Sequence, residues 1–327
     1  MGLSRRSFLK CSAALLSAGA RGARAQTFPE RPIRLVVPFP PGGVFDFIGR
    51  PLADRLKTTL GAMYIENVGG GGGTLGGAAV AHGRADGYTF LLGGTTQYVT
   101  EALLKRQPLY DPLKELDPVA NAATTTFAIT VHPSVPAQNL EAFVAYAKAN
   151  PGKLSYGSSG AGTLNHLTGE AFKLAAGLPD LTHVPYRGAG PAISDLMGGQ
   201  ILVNIPAMSG QVLAFHRADK LRILAVVSPQ RLPGTPELPT AVEQGFPTVV
   251  ATQLIGLIAP AGTPPEIIAK VAPAVRTAVA DKGFTQTLRD AGVEPDPDST
   301  PETFRAALVA DLAHWKPVTD AMGLKID

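Results

Sequence analysis

The chain has 327 residues, one cysteine and a formal net charge of +3. Five of its 29 basic residues and none of its acids lie in the first 25 positions, so the rest carries 24 basic and 26 acidic residues, a net charge of −2. This balance argues against nucleic-acid binding. Because the one cysteine is Cys11, the rest of the chain has neither disulfides nor thiolate metal ligands.

The first 25 residues are typical of an export signal rather than of a folded element. Arg5 and Arg6 precede an apolar segment, residues 11–20, that is shorter than the ~20 residues of a membrane span. The paired arginines indicate the twin-arginine type, and the small residues at 23 and 25 predict cleavage after Ala25. We therefore expect a periplasmic protein; the alternative is a disordered basic arm.

The remaining ~300 residues are long enough for two domains. Short β-branched runs alternate with segments of helical spacing, which predicts βαβ units and a parallel-rich sheet. The predicted strands are residues 33–37, 64–68, 88–92, 127–131, 154–156, 181–184, 201–205, 221–227 and 254–259. Helices are predicted between most of them and at residues 267–279 and 304–315.

Several predicted strands end in loops rich in glycine or threonine that open a helix. Such loops point unpaired N–H groups outward at the positive end of the helix dipole, and ligands of α/β sheets collect at these strand ends. We therefore predict an anion cradle, although any one loop has the alternative of being only a tight turn. The loops are residues 42–43, 69–73, 95–96 and 157–163, and Gly188.

The loop at residues 157–163 also allows a hydrolase interpretation. Its GSSGA lacks the last glycine of the nucleophile elbow, and His166 follows Ser159 by only seven residues, whereas triad partners come from separate loops. We favour Ser158, Ser159 and Thr163 as hydroxyl donors to an anion, with Thr163 a candidate helix cap. His166 is either a local hydrogen-bonding residue or a ligand contact.

Neither a nucleotide site nor a metal site is predicted. No phosphate-loop motif occurs, and the glycines at 160 and 162 lack the third glycine of the dinucleotide fingerprint. The six histidines show no metal-ligand spacing. We therefore expect no cofactor and no metal.

Short segments in a fixed order along nearly the whole chain resemble one known family. They are IRLVVPF at 33–39, PGG at 41–43 with Asp46, YGSSG at 156–160 with Gly162, Thr163 and His166, HVPYRG at 183–188, and PAGTP at 260–264. In this order they resemble the Bug-type extracytoplasmic receptors of tripartite tricarboxylate transporters.

The resemblance implies an α/β fold of two lobes, the type II periplasmic-binding-protein or Venus-flytrap architecture, with each lobe a mixed sheet flanked by helices. The lobes would be residues 26–126 with 249–327, and residues 127–248. A monomeric, non-enzymatic receptor that carries a small organic carboxylate to membrane subunits is the implied function. A ligand sensor for a signalling partner and an exported hydrolase using Ser159 are the alternatives.

In that family the carboxylate meets the loops that correspond here to residues 41–43, 157–163 and 187–189. With the loops predicted above, the candidate ligand-binding residues are Pro41, Gly42, Gly43, Asp46, Thr95, Thr96, Ser158, Ser159, Gly160, Gly162, Thr163, His166, Arg187, Gly188 and Ala189.

One departure from the family pattern bears on the ligand. Relatives usually have small residues after the paired glycines, whereas this chain has Val44 and Phe45. We therefore expect a ligand with a ring or a sizeable apolar body rather than a compact dicarboxylate. Asp46 is expected to hold the loop through N–H groups of the first helical turn; the alternative is contact with an amine or hydroxyl of the ligand.

Overall fold

Two β-sheets organise residues 28–327, the part of the chain that the computed structural model describes. The strands are β1 (Ile33–Val37), β2 (Met63–Asn67), β3 (Thr89–Gly94), β4 (Leu116–Thr126), β5 (Ala128–Val131), β6 (Ser155–Ser158), β7 (Thr182–Pro185), β8 (Val203–Asn204), β9 (Arg222–Val226), β10 (Thr252–Pro260) and β11 (Glu294–Pro295). The first sheet has the order β11-β4-β10-β3-β1-β2, and the second has the order β7-β6-β8-β5-β9.

Both sheets are mixed and are flanked by helices. In the first, β1 is parallel to β2 and β3, while β10 is antiparallel to β3 and β4; in the second, β6 is parallel to β7 and β8, while β5 is antiparallel to β8 and β9. The helices are α1 (Val44–Leu60), α2 (Thr74–Ala81), α3 (Thr95–Val99), α4 (Leu140–Ala149), α5 (Leu164–Ala176), α6 (Ala189–Met197), α7 (Gly210–Arg217), α8 (Pro265–Val279), α9 (Lys282–Arg289) and α10 (Pro301–Met322).

This arrangement confirms the predicted α/β, two-lobed fold. Lobe 1 is built around the first sheet and lobe 2 around the second, and Arg31–Asp327 form one compact unit. The chain passes from the first sheet to the second between Thr126 and Ala128 and returns between Val226 and Thr252. The exact lobe boundaries stay a prediction, and the predicted signal at residues 1–25 lies outside the described residues. Across residues 28–327, none of the helices combines the length and the apolar character needed to span a bilayer.

The core of lobe 1 follows from the burial pattern of β1 and α1. Leu35 and Val36, which point to opposite faces of the strand, are fully buried, as expected for a strand covered on both faces. In α1, Ile48, Leu52 and Leu56 recur at helical spacing and are also fully buried, so this helix packs its apolar face on the sheet. The rigid packing fixes the direction in which the N-terminus of α1 points.

Strand β4 is the main element that the sequence pattern did not predict. Its sequence, LDPVANAATTT, has a proline near its start and the segment ANAA in its middle, and its β-branched residues are Val119 and the terminal Thr124–Thr126. It is nevertheless paired with β10 from Thr252 opposite Thr126 to Pro260 opposite Leu116. Tertiary pairing with an apolar partner strand therefore overrides its weak local propensity.

Gly256 lies where β10 approaches β4 too closely for a side chain. A Cβ there would overlap the Ala120 carbonyl oxygen and lie 2.6 Å from the Asn121 Cα. We expect Gly256→Ala to lower the free energy of unfolding, measured by urea denaturation, by ~1–3 kcal/mol. Gly283→Ala in α9 is the matched control: this exposed position has room for a Cβ, so the same change should stabilise by ~0.4–1 kcal/mol. Equal effects at both positions would contradict the close approach.

Candidate ligand-binding site

A narrow cleft with an internal cavity of about 30 Å³ lies between the two lobes. It is at the edge of each sheet where the parallel strands β1, β3, β6 and β7 end. None of its lining side chains carries an ionisable group. The lining residues are Phe39, Pro40, Gly42, Gly43, Val44, Phe45, Thr96, Ser159, Asn165, Ala189, Ile193, Ala207, Ser209, Val212 and Gln253.

The loop after β1 presents the N-terminus of α1 to the cavity. Gly43 is the N-cap of α1 and has no side chain to accept from the first-turn N–H groups, which leaves them available to a ligand. Asp46 accepts hydrogen bonds from the Gly42 N–H at 3.3 Å and from Arg50 Nε at 2.8 Å. It also accepts from Asn67 Nδ2 at 3.4 Å and is only 8% exposed. Asp46 therefore holds the loop in shape from behind.

The loop after β6 is held by its own side chains. Ser158 Oγ lies 2.7 Å from His183 Nε2 and accepts from the Gly160 N–H at 3.2 Å. Thr163 Oγ1 donates to the Gly160 carbonyl at 2.7 Å, and although Thr163 is the N-cap of α5, its side chain makes no cap bond. The Gly162 N–H donates to His166 Nδ1 at 3.1 Å. These side chains shape the loop and do not line the cavity.

Ser159 behaves differently from its neighbours in this loop. Its side chain lines the cavity and makes no hydrogen bond with any described residue. The adjacent Asn165 donates from Nδ2 to the Ile205 carbonyl at 2.8 Å, which orients its Oδ1 as a free acceptor at the cavity wall. Ser159 therefore offers a donor, and Asn165 an acceptor, from lobe 2.

The loop after β7 brings a second helix N-terminus opposite α1. Gly188 has a φ of 133°, in the region that favours glycine, and is the N-cap of α6. A Cβ placed on Gly43 would lie 3.9 Å from Ala189 Cβ, so the two helix ends meet across the cavity. Arg187 is exposed at the outer mouth, in a wider opening that it shares with the glycine loop at 69–73 and Lys105.

The predicted site residues thus fall into three groups. Gly42, Gly43, Thr96, Ser159 and Ala189 line the inner cavity, and Pro41, Gly160 and Arg187 line the outer mouth. The other seven line neither space; they are Asp46, Thr95, Ser158, Gly162, Thr163, His166 and Gly188. Thr95, for example, donates to Asp311 Oδ2 and accepts from the Leu254 N–H at 3.0 Å. Their contribution to binding stays a prediction.

Sequence reasoning missed three polar residues of the inner cavity. Asn165 lies in the first turn of α5, and Ser209 is the N-cap of α7. The sequence patterns that mark helix starts could therefore have identified both residues. Gln253 was marked only by its position at the polar start of an otherwise apolar strand. It is 2% exposed, and its Nε2 has no hydrogen-bonding partner among residues 28–327.

A pair of neutral histidines supports the loop after β6. The rings of His166 and His183 stack with centroids 3.8 Å apart. Burial lowers the pKa of His166 to about 4. Burial, together with the neighbouring His166, lowers the pKa of His183 to about 3. Both rings are therefore uncharged at neutral pH, and His166 Nδ1 is free to accept the Gly162 N–H.

This pair predicts a loss of stability in mild acid. Both folded-state pKa values lie below the ordinary value of ~6.5, so the unfolded chain binds protons first as the pH falls. The free energy of unfolding should drop between about pH 7 and pH 5, by roughly 2 kcal/mol for each buried histidine. In His183→Gln, urea denaturation at the two pH values should show a smaller drop. The exposed His314→Gln should behave like the wild type, and an unchanged drop in His183→Gln would contradict the burial effect.

The comparisons with known proteins agree on one family. Residues 48–324 match the model of the tripartite tricarboxylate transporter family receptor. BugT of Bordetella pertussis is 34% identical, with 92% of each chain covered. The periplasmic binding protein BugD is 31% identical, with a TM-score of 0.87 over 91% of this chain and 99% of BugD. An R. palustris protein solved with adipate is 32% identical, with a TM-score of 0.84 over 91% of this chain and 99% of its own.

These matches extend over most of the chain. They confirm the family resemblance that the loop segments predicted. The chain belongs to the tripartite tricarboxylate transporter receptor family, the Bug-type periplasmic solute-binding proteins.

Proposed function

We propose that this receptor captures a small organic carboxylate between its lobes and delivers it to the membrane subunits of a tripartite tricarboxylate-type transporter. The observation that carries the proposal is the convergence of three helix N-termini, those of α1, α5 and α6, on one cavity. Each end carries roughly half a positive charge and unpaired N–H groups. The related R. palustris protein solved with adipate supports a carboxylate as the ligand class.

The cavity suits an anion that is held without a formal counter-charge. Its lining has backbone N–H groups and the Ser159 and Thr96 hydroxyls but no ionisable side chain. Arg187 lies at the mouth, where it forms no ion pair with a described residue and adds long-range attraction for an incoming anion. Because the donors come from both lobes, the bound anion would link the lobes and favour a closed form.

The hydrolase alternative finds little support in the loop geometry. A base for Ser159 would have to be His166 or His183, yet His166 Nδ1 accepts from Gly162 and His183 Nε2 pairs with Ser158. Neither ring lines the cavity. A sensor role would use the same cleft with a signalling partner in place of the transporter. We propose transport, by a monomer exported through the twin-arginine route and cleaved after Ala25.

The first test removes the Ser159 hydroxyl. A thermal-shift screen of mono-, di- and aromatic carboxylates identifies a ligand, since ~100 times the dissociation constant adds ~2.7 kcal/mol of stability. In Ser159→Ala, calorimetric titration with that ligand should show a dissociation constant ~10- to 100-fold higher, because a charge-assisted hydrogen bond of ~1.5–3 kcal/mol is lost. Ser134→Ala, exposed on lobe 2 and outside the cavity, is the control. Unchanged affinity in Ser159→Ala would place the carboxylate elsewhere.

The second test concerns the aromatic wall of the cavity. Phe45 is 4% exposed, lines the cavity, and its ring centroid lies 4.9 Å from that of Phe39. An aromatic contact adds ~0.5–1.5 kcal/mol beyond burial. Phe45→Ala should therefore weaken benzoate about tenfold while changing succinate little, as measured by titration calorimetry. Tighter binding of succinate than of benzoate by the wild type would overturn this preference.

A further inference from the structure

We propose that Gln253 selects among carboxylates by donating a hydrogen bond from its side-chain amide to an uncharged oxygen on the ligand. The inference rests on the proposed function and narrows its ligand class. The preferred ligand is a monocarboxylate whose apolar body carries one hydroxyl or carbonyl oxygen.

Gln253 differs from the other residues with buried unpaired polar atoms in the described part of the chain because it also lines the cavity. It is the second residue of β10, opposite Thr125 of β4, and it is 2% exposed. Its Nε2 is shielded from solvent and has no hydrogen-bonding partner among the described residues, while the side chain lines the cavity. Buried amide donors are nearly always paired in native proteins. The side-chain amide forms no hydrogen bond with any described residue, so it is free to turn Nε2 toward the cavity, where an acceptor that enters with the ligand would satisfy it.

The charge of the cavity favours a neutral oxygen over a second carboxylate. The inner cavity has no basic side chain. The nearby cations, Arg187 and Lys105, line the outer mouth instead, and Lys105 donates to the Asp327 carbonyl. A second carboxylate beside Gln253 would lose its hydration without gaining a counter-charge, which is unfavourable. A hydroxyl or carbonyl group loses far less hydration free energy on entering the cavity than a carboxylate does.

The remaining wall fits the same ligand. Phe45, Ile193 and Val212 line the cavity with apolar surface that suits a ring or a short alkyl chain. Asn165 Oδ1 from lobe 2 is a free acceptor in the same cavity. A ligand hydroxyl both accepts and donates, so it is the smallest group able to use Gln253 and Asn165 together.

Two series of probes of matched size separate the possibilities. The first is benzoate, 4-hydroxybenzoate and terephthalate; the second is hexanoate, 6-hydroxyhexanoate and adipate. Within each series the distal group changes from none to a neutral hydroxyl to a carboxylate. In at least one series the wild type should bind the hydroxy acid ~10-fold or more tighter than both other members, measured by titration calorimetry.

Gln253→Leu then tests the donor itself. The variant should lose that advantage for the hydroxy acid and keep the wild-type affinity for benzoate or hexanoate. Without ligand it should melt at or above the wild-type temperature, because a buried unpaired amide is replaced by an apolar side chain. Gln107→Leu makes the same change at an exposed position outside the cavity and should leave all six affinities unchanged.

The outcomes distinguish this inference from the proposed function. Equal affinity for hydroxy acid and parent acid in both series, or an equal loss for both in Gln253→Leu, overturns the role of Gln253 while the parent acids still bind. Tightest binding of terephthalate or adipate overturns the neutral oxygen. Binding of none of the six acids overturns the ligand class, and the wider carboxylate screen then decides the proposed function separately.

Discussion

The close approach of helix N-termini from opposite lobes is the constraint on which the cleft depends. The N-termini of α1 and α6 meet across the cavity, where a Cβ on Gly43 would lie 3.9 Å from Ala189 Cβ. Gly188 packs against Pro40 at a distance that leaves a side chain little room. Aligned positive ends repel one another and leave N–H groups unpaired, so an anion between them is stabilised by both lobes at once. Binding of the anion therefore favours the closed arrangement of the lobes.

The supporting residues keep formal charge out of that space. Asp46 is compensated by Arg50 at 2.8 Å, and both stand behind the loop rather than in the cavity. On lobe 2, burial keeps His166 neutral, so it accepts from the Gly162 N–H instead of competing with the helix ends as a cation. The Gly162 carbonyl accepts from Thr100 Oγ1 of lobe 1 at 2.9 Å, which ties this neutral loop to the opposite lobe.

The sequence predicted the parts of this site that depend on backbone. Glycine pairs after an apolar strand have few other uses than a close approach or a left-handed turn, which is why the loops at 42–43, 157–163 and 188 were recognisable. The sequence did not show which side chains of these loops point into the cavity. Ser158 and Ser159 are adjacent and chemically identical, yet only Ser159 lines the cavity. Ser158 is the last residue of β6 and pairs with His183, whereas Ser159 lies in the bend beyond the strand, and this difference depends on tertiary contacts.

The same reasoning explains why Gln253 and strand β4 escaped prediction. A glutamine at the start of β10 looks like the polar end of a strand, and only its pairing with Thr125 of β4 places it in the buried part of the sheet. In strand β4 the proline and the segment ANAA precede the threonine run, so the strand was not recognised without its partner. Neither feature can be identified without the pairing between β4 and β10. Long-range pairing therefore determined both features, and no local pattern contained that information.

Several buried polar atoms of lobe 1 that lack partners among the described residues lie close together along the chain. Gln97 Nε2, the Tyr98 hydroxyl and Glu101 Oε1 are buried with no hydrogen-bonding partner among residues 28–327. They lie along α3 and the π-helical turn that continues it, Thr100–Leu104. Short π-helical turns are found disproportionately at functional sites. Buried polar atoms without partners lower the free energy of local opening. Thr100 Oγ1 of this segment donates to the Gly162 carbonyl, so a part of lobe 1 with low local stability is in direct contact with the loop after β6 of lobe 2.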